Sequence, residues 1–150
     1  MNTALLKFQR GMTLIELMVV VAIVAIVFAL AFPSYERYVV RTKRTVAQNA
    51  LLQVADRQQQ FFMDNKQFAA NLTNLGFNAN PFVVDDQGSA TVATDDDAVY
   101  SLTLSNVTQT TWTATAAPLQ GQLSRDTDCG SLSITQAGTK ASSGGGANCW

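Results

Sequence analysis

The sequence predicts an α+β protein: a long N-terminal helix, apolar in its first half and amphipathic in its second, packed on a small antiparallel β-sheet. Three observations carry this. Leu17 to Phe32 is apolar without a break. Between Ala47 and Phe62 apolar residues recur at three- and four-residue steps, the period of a helix with one buried face. Beyond Val99 apolar residues alternate with Ser and Thr, the period of a half-buried strand.

The apolar run comes first in the chain and sets the problem. As a helix, Met12 to Phe32 would be about 31 Å long at about 1.5 Å per residue, close to the thickness of a bilayer core. A soluble surface helix needs a polar face, and this run has none. It therefore belongs in lipid, in a bundle of similar helices, or in a segment that is cut away. Glu16 stands at its start, and a charge deep in a bilayer costs about 2.5–3.5 kcal/mol even on the lenient insertion scale. Gly11 ends a short polar leader that carries Lys7 and Arg10. A cut after Gly11 would leave a free amine on Met12, four residues before Glu16, so a continuous helix would put amine and carboxylate on one face. The two could then pair within a chain or between neighbours.

The stretch Gly11-Met12-Thr13-Leu14-Ile15-Glu16-Leu17-Met18-Val19-Val20 resembles the G-F-T-L-I-E signature of type IV pilins and pseudopilins. That resemblance implies a leader spanning residues 1–11, removed by a membrane prepilin peptidase between Gly11 and Met12, and N-methylation of Met12. It also implies that Glu16 sets register as the subunit docks into a growing filament. Met12 stands where the signature has Phe; it keeps the bulk and apolarity that cleavage needs.

Net charge is −1 and no His is present, which removes the commonest general base and metal ligand. Cys129 and Cys149 form an even pair, read in an exported protein as a disulfide rather than as reactive thiols or metal ligands, since no imidazole accompanies them. A rival targeting reading exists: Ala29-Leu30-Ala31 is an A-x-A pattern, so a secretory signal cut after Ala31 is conceivable. Against it, the apolar stretch would be long and interrupted by Glu16, and Pro33 would follow the cut closely. Topology carries a conflict. Arg37, Arg41, Lys43 and Arg44 outnumber Lys7 and Arg10, so a positive-inside count would place the C-terminal side in the cytoplasm. The cysteine pair and the resemblance point the other way, to an inner-membrane protein with a cytoplasmic N-terminus, a periplasmic head and a later place in an extracellular pilus.

Residues 12–32 are thus read as the transmembrane and filament-core helix, with Ala22, Ala25 and Ala29 as a small-residue stripe permitting close helix approach. Pro33 should kink that helix, because it removes a backbone bond near Ala29. Residues 33–65 continue it as the amphipathic half, with Ala47, Leu51, Val54, Ala55, Phe61 and Phe62 on the core face. Arg44, Gln48, Gln53, Arg57, Gln59 and Gln60 fall on the opposite face. Residues 66–150 form the globular head. Within it, Asn71 to Phe77 reads as one helical turn ended by Gly76. Asp85, Asp86 and Gly88 mark one turn and Asp95 to Asp97 another. Calcium is not predicted at these carboxylates, whose spacing does not match an EF-hand loop. Strands are predicted around Tyr100 to Leu104, Trp112 to Ala116, and Leu132 to Ile134.

The Cys129–Cys149 loop encloses Ser142-Ser143-Gly144-Gly145-Gly146, and closing a loop of about 20 residues gains roughly 3 kcal/mol in the chain-entropy model. A disulfide-bounded C-terminal loop is also what pilin heads have. The resemblance extends toward the PilE-type minor pilins through Gln48-Asn49-Ala50-Leu51-Leu52, Leu72-Thr73-Asn74-Leu75-Gly76-Phe77, Asp128-Cys129-Gly130-Ser131-Leu132, Gly138-Thr139-Lys140 and Cys149-Trp150. It implies the pilin fold and a minor subunit that helps start pilus assembly and supports adhesion and twitching motility. Its implied partners are other pilins and minor pilins, the prepilin peptidase, the inner-membrane assembly platform, membrane lipid before assembly, and a tip adhesin.

Alternatives in the same class are a major pilin or a type II secretion pseudopilin. A binding-module alternative is a competence pilin that takes up DNA, but such a role wants a basic stripe. After Asn65 the only cations are Lys66, Arg125 and Lys140, against Asp85, Asp86, Asp95, Asp96, Asp97, Asp126 and Asp128, so nucleic acid is not the expected partner. No enzyme is predicted. There is no nucleophile motif, and Gly144 to Gly146 lacks the Lys-Ser/Thr and helix of a phosphate loop, so it reads as a flexible loop needing no cofactor. N-terminal sequencing of the mature protein is expected to begin at Met12; a start at Phe32 would mean ordinary secretion.

Overall fold

The computed structural model describes residues 11–150, so the leader ahead of Gly11, with Lys7 and Arg10, lies outside the described residues. One helix, α1, runs from Leu14 to Asn65. The chain divides into two compact units, one ending at Tyr38 and one from Val39 to Trp150.

In the first unit every residue of the apolar run is exposed, from Leu14 at 76% to Phe32 at 50%. The helix is long and apolar enough to cross a membrane by length and composition. Helical backbone continues through Pro33, so the proline does not end the helix. Phe28 and Phe32, one turn apart, lie with ring centroids 5.6 Å from each other.

The second unit is the head. After α1 come a 3-10 turn over Thr73–Leu75, then β1 (Phe82–Asp85), β2 (Ala90–Thr91), β3 (Ala98–Ser105) and β4 (Thr113–Pro118). A short helix α2 (Gln120–Arg125), β5 (Leu132–Thr135) and β6 (Lys140–Ser142) complete it. The six strands form one sheet in the order β2-β1-β3-β4-β5-β6, and every pairing is antiparallel. The central pair runs from Tyr100 opposite Pro118 to Ser105 opposite Thr113. This register puts Leu102, Ala114, Ala116, Leu132 and Ile134 in one core with Ala47, Leu51 and Val54 of α1. Thr103 and Ser105 point to water, as the alternation requires.

The predicted strands and the turn ended by Gly76 are present, Gly76 at φ +80 and the turn of 3-10 type. Four short elements were not expected. Phe82, Val83 and Val84 are all buried, so β1 shows no alternation to read, and its register shifts between Val84 and Asp85. β2 and β6 are edge strands of two and three residues with little buried surface. α2 buries only Gln122, so no apolar period announces it. The Asp-rich stretches are turns as read: Asp85 Oδ1 accepts from the N–H groups of Gln87 and Ser89, and Asp95 Oδ1 from that of Asp97.

The Cys129–Cys149 disulfide is formed, with Cα atoms 5.4 Å apart. The glycine run inside its loop is not the simple flexible connection expected. Gly144 N–H donates to the Cys129 carbonyl at 3.0 Å and Gly146 N–H to the Asp128 carbonyl at 2.8 Å. A Cβ on Gly144 would overlap the Asp128 carbonyl, and one on Gly146 would lie 2.6 Å from it. The glycines are there because two backbones meet. Gly144→Ala is therefore expected to destabilise the head by about 1–3 kcal/mol, the usual range for forcing a methyl into filled space, measured by thermal unfolding of oxidised protein. Ala147→Gly, at an exposed site in the same loop, serves as the control.

Candidate functional site: the assembly helix and the clamp of the head

Glu16 sits in the third helical position of α1, and the residues before it decide where the helix starts. The Glu16 N–H donates to Thr13 Oγ1 at 3.3 Å, and the Leu17 N–H donates to the Thr13 carbonyl at 3.2 Å. Thr13 is thus the N-cap, satisfying a donor the helix leaves free. The signal was present in the sequence: Thr13-Leu14-Ile15-Glu16 is the S/T-x-x-E spacing of a capping box, followed by an apolar run. One expectation changes as a result. Met12 lies ahead of the cap and outside the helix, so helical periodicity does not put it on the face of Glu16. Gly11 and Met12 are exposed and non-helical. Among the described residues Glu16 makes no ion pair.

The head is held to its stretch of α1 by a buried polar group. Arg44 grips both carboxylate oxygens of Asp126, with Nε 3.0 Å from Oδ2. Asp126 is 1% exposed. Tyr100 Oη donates to Asp126 Oδ2 at 3.2 Å. Gln122 Nε2 lies 3.1 Å from that oxygen, 3.0 Å from Tyr100 Oη and 3.3 Å from the Val40 carbonyl. Burial pushes the Tyr100 phenol far above its ordinary value, so it stays neutral. The hydrogen bond to Asp126 raises the Arg44 guanidinium. The C-terminal loop is tied to the same helix: Gln48 Nε2 donates to the Cys149 carbonyl at 3.0 Å.

Several residues assigned to the water face of α1 are therefore engaged in the head. Besides Arg44 and Gln48, Arg57 donates to the Leu75 carbonyl at 3.0 Å and lies 4.3 Å from the centroid of the Phe77 ring. Gln58, which the sequence pattern assigned to neither face, is wholly buried and exchanges two hydrogen bonds with the backbone of Ala69. Spacing could have found two of these, since positions 44, 47, 51, 54 and 58 form one three-four-three-four stripe with a polar residue at each end. Placing Arg44 on the water face concealed it.

Two family profiles match the chain. One, described as "Type IV minor pilin ComP, DNA uptake sequence receptor", covers residues 33–133. The other, described as a prokaryotic N-terminal methylation motif, covers residues 6–32. The chain belongs to the type IV pilins. Relatives of this pilin include the type IV major pilin protein PilA of Myxococcus xanthus, 37% identical over 46% of the chain and 31% of that protein. A fimbrial protein of Pseudomonas aeruginosa is 31% identical over 61% of the chain and 63% of its own length. One from Neisseria meningitidis is 36% identical over 51% and 42%. Each alignment spans less than two thirds of the relative.

The head of this pilin packs around a small core, and the Arg44–Asp126 ion pair borders it. Asp126→Asn leaves the half-buried Arg44 charge without its anion, so a loss of about 1.5–3 kcal/mol, the range for a hydrogen bond to a charged group, is expected. The double variant Arg44→Met/Asp126→Leu should recover only part of it: the desolvation of both charges is no longer required, but Tyr100 Oη and Gln122 Nε2 lose the same acceptor. Chemical denaturation of the three proteins under oxidising conditions measures both effects.

Proposed function

We propose that this pilin is a minor subunit of a type IV pilus, structural rather than catalytic. In this reading it is cut between Gly11 and Met12, N-methylated at Met12, and stored in the inner membrane with its head in the periplasm. The assembly platform then draws it into a filament with other pilins, where it helps start assembly and supports a tip adhesin, surface adhesion and twitching motility. The observation that supports this best is the run from Leu14 to Phe32, exposed along its length and headed by a carboxylate that makes no ion pair among the described residues. Such a surface is stable only among lipids or other helices. Glu16 then sets register, because a carboxylate among apolar helices is tolerable when it meets an amine and costly when it does not. Glu16→Val should still begin at Met12 after processing and stay in membranes, yet be missing from sheared filaments by quantitative mass spectrometry. Normal incorporation would remove Glu16 from the assembly step, and abundance equal to the main filament protein would make the subunit a major pilin.

A second reading, DNA uptake, is favoured by one observation: the profile matching residues 33–133 carries a DNA-receptor description. The charge count speaks against it, although burial of Asp126 against Arg44 removes one of the seven carboxylates beyond Asn65 from the surface. A salt-dependent mobility shift of DNA by the head, Val39–Trp150, would support this reading; no shift at low salt would remove it.

A further inference from the structure

The cations beyond the apolar run conflict with a simple positive-inside count, so they call for another use. Arg44 has one already, in Asp126. Arg37 does not: among the described residues no carboxylate pairs with it, and Glu36 beside it in sequence makes no ion pair either. Its side chain is bent back along the helix, Nε donating to the Pro33 carbonyl at 3.3 Å. This carries the guanidinium one turn toward the apolar run and leaves its terminal nitrogens open. Tyr35 and Tyr38 flank it, 66% and 68% exposed. If Phe32 ends the hydrocarbon span, Tyr35 and Tyr38 stand about 4.5 and 9 Å further along the helix axis. Tyr35 thus falls within, and Tyr38 just past, a headgroup layer of about 5–7.5 Å per leaflet.

We propose that Tyr35, Arg37 and Tyr38 form a headgroup collar that binds the phosphodiester of anionic phospholipid where the apolar run leaves the bilayer. The chemistry is that of the interface. Tyrosine places an apolar ring and a polar tip across the boundary. A guanidinium folded toward the hydrocarbon offers its remaining N–H groups to phosphate oxygens in a planar fork. Charge complementarity and continuity with the apolar run identify the occupant as lipid. This inference rests on the membrane reading of α1 and adds a lipid preference to it. The collar is confined to the first compact unit, so Lys43, in the second, serves as the control cation.

The test uses the full chain reconstituted into bilayers of mixed phosphatidylglycerol and phosphatidylcholine, with bound lipids identified by native mass spectrometry after gentle release. The wild-type chain is expected to retain phosphatidylglycerol in excess of its share. Arg37→Gln should cut that excess about fivefold, the effect of one cation at an anionic surface, and Lys43→Gln should leave it unchanged. Equal retention of the two lipids by the wild type would overturn the collar. So would an unchanged excess in Arg37→Gln, or an equal loss in Lys43→Gln. A chain that fails to float with the vesicles would overturn the membrane reading itself, whereas one that floats without lipid preference overturns the collar alone.

Discussion

A helix of 52 residues cannot suit one solvent along its whole length, and the composition of α1 changes where its surroundings must. Up to Phe32 it offers apolar side chains in every direction, and none of them is buried among the described residues. From Ala47 to Gln58 it offers a single stripe, buried in the core of the head. Both follow from the same cost, that of apolar surface left in water at about 25 cal/mol per Å². The first part meets it by requiring lipid or other helices, the second by folding a sheet onto itself. The remaining elements answer one of these two demands.

In the head the second demand is barely met by apolar contact alone, since the helix contributes mostly alanines and single aliphatic residues. Polar devices complete it. Arg44 and Gln58 occupy the two ends of the buried stripe, and each is satisfied by groups distant in sequence. Because an unpaired buried polar group costs more than a paired one gains, these bonds penalise misplacement more than they add stability. Asp126 caps the end of α2, and Gln122 on that helix meets both Tyr100 and Asp126. The disulfide and the glycine run then fix the tail through backbone contact, where no side chain fits.

What the sequence made legible was periodic or punctuated. The apolar run, the helical face from Ala47 to Val54, the three alternating strands, the Gly76 turn and the cysteine pair each carry a local signature that tertiary context need not supply. What it concealed was either too short or too completely buried to show a period. β1 hides in three consecutive buried residues, and β2 and β6 exist because a neighbouring strand gives them partners. Of the site, the position of Glu16 was evident but its cap was not, although Thr13 stood at the spacing that announces one. The Arg44–Asp126 pair was beyond reach from local pattern, because its partners lie 82 residues apart.

The cap bears on how a carboxylate can be tolerated where it stands. The first turn of a helix leaves N–H groups unpaired and carries a partial positive charge of roughly half an elementary charge, an effect that fades within about one turn. Thr13 satisfies one of those donors, and the rest leave the field around Glu16 favourable to an anion. The same side chain at Val20, one turn further along, would have the full desolvation penalty with little of this relief. The helix start therefore reduces the cost of a carboxylate at Glu16 without replacing the partner charge it needs. It is also a place where the amine of another chain could be brought alongside a carboxylate that makes no ion pair among the described residues. By starting the helix at Leu14, Thr13 leaves Met12 outside the ladder of helical bonds, free to orient its own end. The docking role proposed for Glu16 needs both conditions, and a helix that began two residues earlier would remove the second.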